Sequence, residues 1–144
     1  MVLWRRGRPP TDFELLHAIY TRHRDDYLSF VKGAADGRTP KIAVPIDILA
    51  IANGLGVDAD SVFGRLYYNL DPLYETRNED GSRKSFFIPR PGEEQDLINF
   101  PLLEAVLAGL WLERRRDLRT FWAAAASVGI ATGSLVVSIF AAAA

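Results

Sequence analysis

From Phe121 to Ala144 the chain carries no charged residue over 24 positions, and a run of arginines stands directly before that stretch. As a helix at about 1.5 Å per residue the segment FWAAAASVGIATGSLVVSIFAAAA reaches about 36 Å, more than the roughly 30 Å of a hydrocarbon core. Arg114, Arg115, Arg116 and Arg119 precede it, and such a cluster favours the cytoplasmic face. The expectation is a single-pass, tail-anchored membrane protein. It has a transmembrane helix over 121–144 and an N-terminal domain in the cytoplasm. The competing reading is an Ala-rich helix in a soluble bundle, but a soluble helix of this length normally keeps a polar face, and no charge is present to form one.

Ala125, Gly129 and Gly133 recur every four residues in this stretch. In lipid, small residues at that spacing form a groove that lets a second helix approach closely. The three residues are therefore expected to pack against a second copy in a homodimer or against a partner helix.

The remainder is long enough for one small domain. The chain has no cysteine, which excludes a disulfide framework, a thiolate nucleophile and a cysteine metal site. MVLWRRGRPP is basic but has no following apolar stretch, so it is not a secretory signal. It reads instead as a basic N-terminal arm, residues 1–10. Residues 1–96 hold 13 Lys+Arg against 15 Asp+Glu, a difference of −2, so the bulk charge shows no nucleic-acid footprint.

Thr11 and Glu14 have the spacing of a capping box, and apolar residues from Phe13 to Val31 follow at helical spacing. They predict a first helix over about 12–33. Lys41–Val44 reads as a brief strand, and Pro45 suits the first turn of a second helix. Gly56 falls where a left-handed cap is needed. Asp58 or Asp60 caps a third helix that buries Val62, Leu66 and Leu70 and ends at Pro72. Residues 73–77 and 83–88 read as strands joined through Asp80-Gly81.

This order of elements, with IANGLGVDADSVFGRL at its centre, resembles the winged helix-turn-helix superfamily over about residues 11–90. Ala52 matches the small residue at the helix crossing, Gly56 the turn and Val62 the core of the third helix. Arg65 stands where the simplest pattern has its next core residue, which here falls on Leu66. The fold expected is mainly α with a small β-hairpin. Residues 91–120 follow as a linker and an amphipathic juxtamembrane helix, which covers the domain or lies on the bilayer.

In superfamily members that read DNA, the third helix enters the major groove and the wing touches the backbone. The resemblance makes Arg65, Asn69, Arg77, Arg83 and Lys84 the possible DNA-binding set. Against this, the third helix opens with two carboxylates, and Phe63, Tyr67 and Tyr68 suit a protein interface better than a phosphate-lined groove. The leading expectation is a non-enzymatic adaptor or accessory subunit that binds a protein partner through these aromatics. The alternative is a membrane-tethered, DNA-binding transcriptional regulator. His17 and His23 lie six apart and do not form an i, i+4 metal pair. His23 with Asp25 and Asp26 reads as a solvated charged face. No catalytic motif, metal site, cofactor or small-molecule substrate is expected.

Overall fold

A computed structural model describes residues 8–32, 40–92 and 95–142, with side chains in the last stretch as far as Ser127. Arg5 and Arg6 of the basic arm lie outside the described residues. The chain divides into two compact units, Met1–Ala108 and Gly109–Ala144.

In the first unit, α1 (Asp12–Leu28) opens on a complete capping box. The Thr11 side chain accepts from the Glu14 N–H, and the Glu14 carboxylate accepts from the Thr11 N–H. The helix closes at Ser29, short of the expected 33. β1 (Ala43–Ile46) contains Pro45, which the sequence places in a helix. It is tolerated because β1 is a sheet edge, where a missing N–H breaks no second ladder. Asp47 instead caps α2 (Ile48–Leu55), accepting from the Ala50 N–H at 2.9 Å. Gly56 closes α2 at φ 67°, the left-handed conformation that favours glycine.

The third helix runs through Pro72 rather than stopping there. It consists of α3 (Ala59–Gly64), a π-type turn (Arg65–Leu70) and α4 (Asp71–Tyr74). The widened turn stands directly before the proline, and such an insertion lets a helix absorb a residue that lacks an N–H.

The sheet departs most from expectation. β2 (Thr76–Arg77) and β3 (Arg83–Lys84) form a separate two-stranded ribbon. Its turn is closed by the Asn78 N–H donating to the Ser82 carbonyl, with Gly81 at φ 83°. The main sheet is antiparallel in the order β1-β5-β4, with β4 at Phe87–Ile88 and β5 at Asp96–Asn99. The central strand β5 falls where the sequence reads as linker. Val44, Ile98 and Phe87 lie side by side across the three strands, all buried. The core forms where this row meets Leu16 and Ile19 of α1 and Leu66 and Leu70 of the third helix.

α5 (Phe100–Ala142) is one continuous helix. The Asn99 side chain accepts from the Leu102 N–H at its start. Buried Phe100 stacks on Tyr20 and Tyr27 of α1, at centroid distances of 5.6 and 4.6 Å. This contact seats the start of α5 on the first unit.

The expected membrane span is corrected. Among the described residues, no helix is long and apolar enough to cross a membrane. A lack of charge is not the same as apolarity. Of the expected span, Phe121–Ser127 is mostly alanine, which contributes little transfer free energy, the preceding turns carry Glu113, Arg114, Arg115, Arg116, Asp117 and Arg119, and the side chains from 128 onward lie outside the described residues. The single-pass, tail-anchored placement and the cytoplasmic N-terminal domain are withdrawn with the span. The membrane as partner, the topology role of Arg114, Arg115, Arg116 and Arg119, and the transmembrane packing of Ala125, Gly129 and Gly133 all presuppose that span. The side chains at 129 and 133 lie outside the described residues.

Candidate protein-interaction face on the third helix

The third helix starts at a sharp local signal. The Asp58 carboxylate accepts from the Asp60 N–H at 2.9 Å, and Gly56 turns the chain into it. From there Val62, Leu66 and Leu70 turn inward and are buried. Phe63, Tyr67 and Tyr68 form a connected aromatic strip on the other side. Phe63 stacks on Tyr67 at 5.7 Å and 18°. Tyr67 meets Tyr68 edge-on at 4.9 Å. Phe63 also meets buried Phe87 edge-on at 5.6 Å, which ties the strip to the sheet. Exposure rises along it, from half-buried Phe63 to 40% at Tyr67 and 72% at Tyr68.

The π-type turn makes this strip possible. It takes more residues per revolution than an α-turn, so successive side chains diverge by less than about 100°. Adjacent tyrosines can therefore touch. The one sequence signal for it was Pro72, which reads more simply as a stop.

Two of the four cations anticipated for DNA are committed within the protein. Arg65 pairs with Asp12 at 2.8 Å and donates to the Pro10 carbonyl, joining the third helix to the start of α1. Arg83 pairs with Asp71 and Glu75. Arg77 and Lys84 stay exposed on the β2–β3 ribbon, and Asn69 is exposed on the π-type turn. Arg8 of the arm grips Glu14 through two hydrogen bonds of 2.9 and 2.6 Å. That contact, with the capping bonds from Thr11, holds the Glu14 carboxyl at about 2, well below its ordinary value. The Ser82 hydroxyl and N–H likewise lower the Asp80 carboxyl in the ribbon turn.

Asp71 is the polar centre that sequence reasoning missed. It is 4% exposed. Besides Arg83, its carboxylate accepts from the Phe86 and Phe87 N–H groups at 2.8 and 3.0 Å. One side chain thereby fixes where the ribbon ends and β4 begins, and so holds Phe87 under the aromatic strip. An Asp directly before a proline reads as a turn residue, and nothing local marks it as buried.

The ring of His23 is also buried, against the expected solvated face. Its Nδ1 lies 3.1 Å from Asp26, and Nε2 has no hydrogen-bond partner among the described residues. Asp25 stays exposed, so the three residues do not converge. Among the described residues no group of three His, Asp or Glu side chains is placed to hold a metal. Pro9, Pro10, Leu15, Val57 and Val62 line a shallow, mostly apolar groove of about 260 Å³ beside Arg65.

No protein-family model matches this chain, and no curated protein or solved structure matches it either.

Proposed function

We propose that the chain is a non-enzymatic adaptor or accessory subunit whose winged-helix module binds a protein through the aromatic strip of its third helix. A helix, a short strand, two further helices and then two strands that join the first in an antiparallel sheet of order β1-β5-β4 support the winged-helix reading. On that reading the wing is the hairpin of β4 and β5, and the β2–β3 ribbon is an added feature. The observation that carries the function is the strip ending in Tyr68 at 72% exposure. Aromatic side chains present large, rigid contact area at low entropic cost and are enriched at interface cores.

Charge supports a protein over DNA. The exposed start of the third helix carries Asp58 and Asp60, which repel phosphate, and Arg65 is already paired. The test replaces Tyr68 with a photo-crosslinking phenylalanine analogue in the source cell. One specific adduct is expected, lost when Tyr67→Ala is added. In parallel, the full chain is titrated on mixed duplex DNA at low salt. A shift that weakens steeply with salt and disappears in Arg77→Glu/Lys84→Glu refutes the reading in favour of a DNA-binding regulator. Arg83 is left intact because its replacement disturbs Asp71.

A further inference from the structure

The second unit holds a long exposed segment of α5. Every described residue from Leu112 to Ser127 is exposed. Among these are Leu118 at 54% and Trp122 at 68%, with Trp111 at 47% just before them. Trp111, Leu118, Trp122 and Ala125 are separated by seven, four and three positions, the spacing of a coiled-coil seam. At about 100° per residue the four fall within roughly 60° of one another. Such a seam on an isolated helix gains little stability in water until another helix covers it.

The charges around the seam select what covers it. On the same angular scale Arg115 and Arg119 flank one side and Arg114 the other, while Glu113 and Asp117 turn more than about 100° away. The Arg115 guanidinium lies 4.2 Å from the Trp111 ring centroid, so a cation borders the apolar stripe itself. A second copy aligned in parallel would set Arg115 against Arg115 and Arg114 against Arg119. An antiparallel copy centred on Leu118 would set Arg114 and Arg115 level with Trp122 and Phe121, so neither arginine would meet a carboxylate. Like charges across a coiled-coil interface oppose pairing, and the flanking positions set partner choice.

We infer that residues 111–125 of α5 form a docking seam for an amphipathic helix of another protein, with glutamate or aspartate flanking its apolar stripe. The seam shares no residue with the Tyr67–Tyr68 strip, so the chain carries two surfaces for the adaptor role proposed above.

The probes are two synthetic helical peptides of equal length, both with leucine at the seam positions. One carries glutamate and the other lysine at the flanks. Each is titrated into the full-length chain, with binding followed by calorimetry and by the tryptophan emission shift. The glutamate peptide is expected to bind at least tenfold more tightly than the lysine peptide. Leu118→Glu should abolish that binding. Arg115→Glu/Arg119→Glu should reverse the preference, which also shows that the helix survives the substitutions. Equal binding of both peptides, or of neither, overturns the inference. Sedimentation of the unmixed chain as a dimer that Leu118→Glu dissociates also overturns it, because the occupant is then a second copy.

Discussion

Replacing Asp71 with alanine removes the acceptor that joins the third helix to the start of β4. Two buried backbone donors, the Phe86 and Phe87 N–H groups, then lose their partner. A buried donor left unsatisfied costs about 1–3 kcal/mol. Arg83 also loses a partner, but it is half-exposed and keeps Glu75, so its share is small. The expected loss from the two orphaned donors together is about 2–6 kcal/mol. A small domain has a total stability of about 5–15 kcal/mol, so the variant should be near the edge of folding. Arg83→Ala should cost less, about 1–2 kcal/mol, because the Asp71 carboxylate keeps both amide donors. The assay is urea unfolding of all three proteins followed by near-ultraviolet circular dichroism, with amide hydrogen exchange read at Phe86 and Phe87. Exchange at these two amides should accelerate in Asp71→Ala far more than in Arg83→Ala. The reasoning fails if Asp71→Ala stays within about 1 kcal/mol of the parent, or if Arg83→Ala costs as much.

Three further outcomes are expected. The Glu14 carboxyl is held at about 2 when folded, so its contribution is fully present above the unfolded value near 4.5 and is lost as pH falls towards 2. With Arg8 half-exposed, solvent screening leaves about 1–2 kcal/mol; acid titration of stability should show that slope, and Glu14→Gln should flatten it. Gly56→Ala meets no atom within 4 Å, so it should cost only the left-handed backbone penalty of about 1–2 kcal/mol, seen as a lower urea midpoint with unchanged slope. Tyr68→Ala should change stability by less than about 0.5 kcal/mol, as for an exposed surface site, seen as an unchanged urea midpoint.

Much of the helical part is legible because its signals are completed within a few residues. Thr11 and Glu14 cap each other across three positions, Gly56 supplies the left-handed turn, and Asp58 caps the helix that follows. The i, i+4 series of Val62, Leu66 and Leu70 marks the buried side of the third helix correctly. The aromatic strip was half legible. Its three residues could be named, but Phe63 is anchored on Phe87 and half-buried, and the tyrosines are its exposed part. Within the cationic set Arg65 and Arg83 pair with carboxylates while Arg77 and Lys84 stay exposed, a difference that the sequence does not show because the carboxylates come from elsewhere in the chain.

Strand β5 makes the contrast plain. Asp96-Leu97-Ile98-Asn99 has weak strand character and begins with an acid. It becomes the central strand because β1 lies on one side and β4 on the other. Pro45 enters a strand because its ladder is needed on one side only. Pro72 stays within a helix because the turn before it widens.

Caps, turns and the inward stripe of each helix were therefore written in the chain itself, because short-range hydrogen bonds and helical periodicity need no distant partner. The order of the sheet, the burial of Asp71 and His23, and the commitment of Arg65 and Arg83 came only with the assembled fold. Arg65 reaches the Pro10 carbonyl across 55 positions, and Arg83 reaches Asp71 across 12. Contacts at such separations form when the hydrophobic core brings remote elements together, and no local pattern of residues encodes them.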